Sequence, residues 1–402
     1  MPINMQYNRA FGLDLSKKTF HGCILDGPDL SERHFFTGRM DEEGKARLAG
    51  RLCPGDIILM EAGTASFMLA RQLITSTEAE VVVLNPAKLF NIFNSTVKTD
   101  KSDSEKIARI ARNMPRDEWP TVLIPTMEEQ AERSTVSHEV FIAQSITREL
   151  NRLHALFNSM GFPFIKKSTL KNKESREDLI NSCLSESPLA VEQAMMISSQ
   201  VNLLMEHMKS SKKNLVQICL NHPIQALSLL SIPGMGVVTA AAQIAFLNDG
   251  SRFSSPDSYV NYIGLSERRF DSGISVSKGH ISHMGNKVIR RNIIQASWIA
   301  CLKSGDNPLS CKYEYFRSHG KPKVVAAVAV AKKMIQLSYI LVKSKGIYEF
   351  TKQQGLETFR NKLKSHRLLA LLDYLPTSIR FEMEEYDRNK KEVAATTPRK
   401  IS

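Results

Sequence analysis

Two apolar runs, Arg9–Leu15 and Thr19–Leu25, stand three residues apart, and this pairing constrains the chain more than any other feature. Ser16, Lys17 and Lys18 form a short polar link between them, which predicts a β-hairpin. Arg33–Thr37 is a candidate third strand. The pattern then alternates. Asp41–Leu52 has helical spacing, Asp56–Glu61 is a compact apolar run of strand length, and Thr64–Ile74 is helical again. Val81–Leu84 is strand-like, and Ser102–Asn113 is an amphipathic helix. The region therefore reads as an α/β layer in the order β, β, β, α, β, α, β, α.

Pro115 and Pro120 break this pattern. Glu128–Met160 is polar and helical, and Leu189–Leu220 is a second long helix with lysines opposite its apolar face. The charged, serine-rich stretch Lys166–Ser187 between them reads as loop. Two long helices with a mobile tip make an αα-hairpin, suited to an arm or a dimer contact. Leu230–Phe246 is a helix pair around Pro233-Gly234-Met235-Gly236, and the residues after Tyr348 form a tail of mixed charge that ends in a disordered Ala394–Ser402. The expected domains are 1–125, 126–222 and 223–350, followed by the tail 351–402.

Charge narrows the partners. The 402 residues carry a net charge of +13, which favours a polyanion, although an anionic membrane surface satisfies the same arithmetic. Fifteen Lys/Arg against four acids fall in Ser266–Gly346, so most of the excess sits in that segment. No stretch approaches the roughly 18 uninterrupted apolar residues of a spanning helix; Val324–Ala331 runs straight into Lys332 and Lys333. No membrane partner is expected. The six cysteines form no CxxC pair and show no Cys/His metal spacing, which fits thiols in a reducing, cytoplasmic compartment.

Asp14 follows Phe11-Gly12-Leu13, and Glu61 follows Ile57-Ile58-Leu59-Met60, so each carboxylate ends an apolar strand. An unpaired buried charge is costly, and a metal ion is one compensating partner. Asp100 and Asp103 are three apart and face the same way at a helix start. Four such carboxylates can hold two Mg²⁺, with Mn²⁺ as the alternative, a pair that activates an attacking oxygen and stabilises the leaving one. The plainer reading of the second pair is a capping box, with Ser102 as N-cap and Glu105 reaching back. Plainer readings of Asp14 and Glu61 are a turn residue and a strand-end ion pair.

Two further features point to nucleic acid. Glycines in Pro233-Gly234-Met235-Gly236 let backbone N–H groups approach a phosphate, as in a helix-hairpin-helix, and Gly234 and Gly236 are the candidate contacts. An ordinary tight turn is the alternative. Asp271-Ser272-Gly273 precedes Lys278 and the basic run Lys287-Val288-Ile289-Arg290-Arg291. A serine near concentrated positive charge can attack phosphate, and Ser275, Ser277 and Ser282 are rivals for that role. A solvated Ser-Gly turn is the default from spacing alone.

Taken in order, these motifs resemble the insertion sequence 110 family of transposases, the DEDD group that includes the Piv-type DNA invertases. The resemblance covers about 350 residues. It rests on Gly12-Leu13-Asp14, Met60-Glu61-Ala62-Gly63, Asn85-Pro86 and Lys98-Thr99-Asp100-Lys101-Ser102-Asp103. Further on it rests on Ile232-Pro233-Gly234-Met235-Gly236, Tyr262-Ile263-Gly264-Leu265, Ser272-Gly273, and Ile281-Ser282-His283-Met284-Gly285-Asn286-Lys287 with Arg290. It implies a ribonuclease H-like (RuvC-like) domain with a tetrad of Asp14, Glu61, Asp100 and Asp103. It also implies a helical coiled-coil arm and a mostly α C-terminal transposase domain whose Ser272 forms a phosphoserine link to DNA. Family members act as homo-oligomers, with acids and serine drawn from different subunits, and are guided by a structured non-coding RNA. That implies DNA, RNA and a second copy of the chain as partners, in association with the prokaryotic nucleoid. One departure is Asp271, which stands where many relatives carry another serine. The competing readings are a site-specific invertase without a guide RNA, a structure-selective resolvase using the acids alone, and a non-catalytic nucleic-acid-binding regulator.

Overall fold

The computed structural model describes residues 7–27, 29–86, 88–89, 100–272, 275–282, 284–302, 307–348 and 353–383, with Glu385 and Arg388. The chain forms two compact units, Met1–Glu128 and Glu129–Ser402.

The first unit is built on one mixed sheet. Its strands are β1 (Ala10–Leu15), β2 (Thr19–Asp26), β3 (Glu32–Arg39), β4 (Ile57–Glu61), β5 (Glu80–Leu84) and β6 (Thr121–Val122). They lie in the order β3-β2-β1-β4-β5-β6. The hairpin expected at Ser16-Lys17-Lys18 is present: β1 and β2 pair antiparallel, and Ser16 donates its backbone N–H to the Thr19 carbonyl at 2.9 Å. Successive strand residues face opposite ways, and here both faces are covered. Ala10, Ile57, Leu59 and Leu84 pack with Ile107, Ala108 and Ala111 of α3 (Asp100–Asn113). Phe11, Leu13, Ile58 and Met60 pack with Leu48 of α1 (Glu42–Ala49) and Leu69 and Leu73 of α2 (Ser66–Ser76). Burial on both faces is why these strands read as continuous apolar runs. The two-residue β6 carried too little pattern to be seen in sequence.

The second unit opens with α4 (Met127–Ser159), α5 (Lys173–Cys183) and α6 (Pro188–Asn221). The loop expected over Lys166–Ser187 is corrected: it contains α5. Ile180 and Leu184 sit with Leu153, Phe157, Ala194 and Val201 in a core of their own at the far end of the helical pair. The fully buried Arg176 donates to Ser198 Oγ at 2.9 Å, to the Leu170 carbonyl at 2.7 Å and to Asn202 Oδ1. The sequence looked like loop because its apolar positions are few and its one buried cation is satisfied by neutral oxygens from α6 and the preceding turn.

The remaining helices are α7 (Pro223–Ser231), α8 (Val237–Leu247), α9 (Pro256–Ile263), α10 (Lys287–Leu302), α11 (Pro308–Ser318), α12 (Lys323–Ser344) and α13 (Gln353–Ser365). A two-stranded sheet, β7 (Glu267–Ser272) with β8 (Ser275–Ile281), interrupts them. Helix α12 is long and apolar enough to cross a bilayer, yet Ala327, Val330, Ala331, Met334 and Ile335 lie at the centre of this unit's core.

The segment after 351, expected as a tail, contributes Leu356, Phe359, Leu363, Leu368 and Leu371 to that same core. Ala394–Ser402 lies outside the described residues. Half-buried Lys362 donates to the Leu230 carbonyl at 2.7 Å and the Ile232 carbonyl at 3.4 Å, holding the end of α7. Burial pushes its ammonium down to about 8 from an ordinary 10.5. Between those values the unfolded chain binds the extra proton, so this group's contribution to stability rises with pH. The full rise is at most about 3 kcal/mol. The urea midpoint of wild type should therefore rise relative to that of Lys362→Met from about pH 7.5 to about pH 10.5. A flat difference would show that Lys362 titrates normally.

Candidate active site

The site begins at a glycine. A Cβ placed on Gly12 would lie 2.1 Å from the Ser104 carbonyl oxygen and 2.3 Å from the Ala108 nitrogen, so α3 rests directly on the backbone of β1. The later half of α3 covers Ala10, Leu25 and Leu30, and Arg112 donates to the Leu30 carbonyl at 3.4 Å. Helix and strand thus run in opposite directions, which brings the start of α3 toward the end of β1 that carries Asp14.

Strands β1 and β4 are neighbours and parallel, with Leu13 opposite Met60. Asp14 and Glu61 are the next residue on each. Strand alternation puts both on the α3 side, with Ala10, Gly12, Ile57 and Leu59. Asp14 is half-buried and Glu61 exposed at the rim. A hydrophobic wall behind two carboxylates and open solvent before them suits oxygen ligation of a hard cation.

Asp103 is half-buried and pairs with Lys106 at 3.0 Å. Asp100 is the first residue of α3, and its side chain lies outside the described residues. The capping-box reading fails because α3 starts at Asp100, leaving Ser102 inside the helix, while Glu105 pairs with Arg33 at 3.0 Å and Arg109 at 2.6 Å. Among the described residues, no three His, Cys, Asp or Glu side chains are gathered as a ligand set.

The sequence reading missed the β7–β8 hairpin. Its signal is the alternation in Ile274-Ser275-Val276-Ser277, too short to stand out beside the Ser-Gly pair. Ser272 is the last residue of β7 and pairs with Ser275, the first of β8; Ser277 pairs with Phe270. Ser282 lies just past β8 and donates its N–H to the Ser266 carbonyl at 2.8 Å. The side chains of Ser272 and Lys278 are outside the described residues.

Two of the sequence motifs prove to be one structural joint. Gly264 ends α9 at φ +79°, and a Cβ on Gly285 would meet the Tyr262 oxygen at 2.4 Å. Asn286 donates its N–H to that same Tyr262 oxygen at 3.0 Å, and its side chain accepts from Val288 and Ile289 to cap α10. Arg290, expected to meet phosphate, is half-buried and donates to the Ile263 carbonyl at 2.8 Å. Its guanidinium holds the end of α9. Lys287 and Arg291 remain exposed.

Gly234 has a packing role as well. It adopts φ +77°, and its Cβ would lie 2.4 Å from the Ala296 oxygen and 2.6 Å from the Ala300 nitrogen. The α7–α8 turn needs this glycine to pack against α10. Gly236 is different: it precedes α8 as an N-cap without side-chain support, and a Cβ there would meet nothing within 4 Å.

Comparison with known proteins matches both units. A DEDD-type insertion sequence 110 model, described as "Transposase", matches residues 11–162, and a model described as "Transposase IS116/IS110/IS902 family" matches residues 226–313. The chain is 22% identical over 347 residues to a probable family 20 transposase of Pseudomonas aeruginosa, covering 84% of this chain and 97% of that one. It is 27% identical over 181 residues to an uncharacterized 43.6 kDa protein of insertion element IS110 from Streptomyces coelicolor, covering 45% of this chain and 40% of that one. It is 31% identical over 126 residues to a pilin gene-inverting protein of Moraxella bovis, covering 31% and 38%. The match thus spans less than half the length of these last two relatives. The mixed sheet followed by helices fits a ribonuclease H-like DEDD transposase. With strand-end acids in one matched region and the serine hairpin in the other, the chain belongs to the insertion sequence 110 family of DNA transposases.

Proposed function

We propose that this protein cuts and rejoins DNA strands to move an insertion sequence, using Asp14, Glu61, Asp100 and Asp103 as ligands of Mg²⁺ and Ser272 as nucleophile. The observation that carries the reading is the adjacency of Asp14 and Glu61 at the ends of parallel β1 and β4, beside the start of α3. Four carboxylates suit Mg²⁺ or Mn²⁺, which when bound supplies charge stabilisation at the phosphoryl group.

Ser272 Oγ attacks phosphorus, forming a serine–phosphate ester as the bond to one sugar oxygen breaks; the proton lost by serine leaves with that oxygen. Attack by another strand's hydroxyl reverses the exchange and restores the serine. Exposed Lys287 and Arg291 offset phosphate charge during the transfer. The α4–α6 pair serves as the coiled-coil arm of a homo-oligomer, in which acids and serine meet across subunits. Gly236 leaves room for a phosphate at the start of α8. A structured non-coding RNA guides the choice of DNA, on the nucleoid. The second reading is inversion of a fixed segment, favoured by the identity to the pilin gene-inverting protein.

The test incubates purified protein with DNA bearing the element's ends and a transcript of the adjoining non-coding stretch, then sequences the new junctions. RNA-dependent insertion at a separate target is expected. RNA-independent inversion between repeats would establish the second reading, and junctions formed without divalent metal would remove the acid site. Mn²⁺ paramagnetic resonance reports binding apart from activity: the bound signal should be present in wild type and lost in Asp14→Ala.

A further inference from the structure

The end of α11 carries an aromatic pair that packing does not explain. In Tyr313-Glu314-Tyr315-Phe316, Tyr313 turns inward at 4% exposure while Tyr315 stands 58% exposed. His319, one helical turn on, lies against it with ring centroids 4.2 Å apart and planes tilted by 39°. Exposed rings usually sample several rotamers, but this pair is held. Nδ1 of His319 is hydrogen-bonded to the Tyr315 carbonyl at 2.7 Å.

The backbone beneath is locked as well. Gly320 adopts φ +75°, Lys321 donates its N–H to the Phe316 carbonyl at 3.0 Å, and Gly320 donates to the Arg317 carbonyl at 3.0 Å. These are the two bonds of a Schellman helix end. The Arg317 guanidinium reaches over the turn to the Lys321 carbonyl.

Cations flank the pair along the chain. Lys312, Lys321 and Lys323 are exposed and Arg317 is half-buried; Glu314 is the one acid between residues 312 and 323. A protein partner would favour an apolar centre depleted of lysine. Aromatic faces set among cations suit nucleic acid, whose bases stack on rings while phosphates meet the charges. A duplex offers base edges in its grooves, with the base faces already stacked on one another. An open ring face therefore selects unpaired nucleotides.

We propose that Tyr315 and His319 form a stacking platform for an unpaired base of single-stranded nucleic acid, with Lys312, Arg317, Lys321 and Lys323 taking the flanking phosphates. This rests on the proposed function, in which Lys287 and Arg291 of the same basic segment Ser266–Gly346 meet DNA phosphate, and it names a further form of nucleic acid and the residues. DNA and RNA share the chemistry of base face and phosphate.

The test is fluorescence anisotropy of the full chain with a labelled strand of about 20 nucleotides, as DNA, as RNA and as a DNA duplex. Tyr315→Ala should weaken single-strand binding roughly 5- to 100-fold and leave duplex binding within about twofold. The salt dependence should keep its slope, because no phosphate contact is lost. Tyr315→Phe keeps the ring face and should bind like wild type. Loss confined to the RNA or to the DNA strand would name the ligand; loss for both would support the shared chemistry. The platform is overturned if Tyr315→Ala binds single strands like wild type, if strand and duplex weaken equally, or if Tyr315→Phe fails like Tyr315→Ala. Lys287→Glu with Arg291→Glu separates the two levels: it should weaken all three probes. If wild type shows no salt-dependent binding to any probe, the wider reading falls and the platform with it.

Discussion

Asp14→Ala or Glu61→Ala should abolish strand transfer while leaving the N-terminal unit folded, if the proposed acid site is correct. Both residues sit at the rim of the sheet, outside the two apolar clusters that hold it. Losing a ligand of a phosphoryl-transfer metal removes several kcal/mol of transition-state stabilisation. At about 1.4 kcal/mol per decade, that is a loss on the order of 10³-fold or more. Gly12→Ala, two residues from Asp14, inactivates by another route. Its Cβ would fall within 2.1 Å of the Ser104 oxygen, a backbone atom that cannot swing away. Forced overpacking of this kind costs about 1–3 kcal/mol and displaces the helix that carries Asp100 and Asp103. The pair of measurements is strand transfer and melting temperature. Asp14→Ala should lose the first alone, and Gly12→Ala both. An active Asp14→Ala protein would end the metal-site reading.

On the proposed mechanism, Ser272→Ala should eliminate both recombination and any protein–DNA adduct. The substitution removes one oxygen at the end of β7, and the strand pairing it shares with Ser275 is made by backbone. DNA binding and melting temperature should stay unchanged, so the loss would lie in chemistry. The expected drop is on the order of 10⁴-fold or more, as for removal of a nucleophile elsewhere. Ser275→Ala is the decisive control because Ser275 is the cross-strand partner of Ser272. The adduct, trapped by denaturation and mapped by mass spectrometry, should persist in Ser275→Ala. If it persists in Ser272→Ala and vanishes in Ser275→Ala, the nucleophile is Ser275. A wild-type protein that forms new junctions without any adduct would use water.

The first unit was legible in sequence because β1, β2, β4 and β5 are largely buried, so apolar runs marked them, whereas the edge strand β3 is mostly exposed. The carboxylates that end β1 and β4 stood out against those runs for the same reason. The sequence by itself therefore determined the order of the first five strands and the helices between them, the two long helices, the family and the candidate acids. It could not decide what each polar or glycine residue touches. Arg290 and Gly234 belonged to motifs that suggested phosphate contact, and the folded chain uses both for packing: Arg290 against the end of α9, Gly234 against α10. A glycine required for a close approach looks the same in sequence whether the approaching group is a phosphate or a helix backbone. The buried Arg176, the docked segment that carries Lys362 and the exposed Tyr315–His319 pair were hidden for a related cause. Local pattern records which residues avoid water on average. Whether a given cation is satisfied by distant carbonyls, or a given ring is left uncovered, depends on partners brought together across long stretches of chain, and only the tertiary structure decided that.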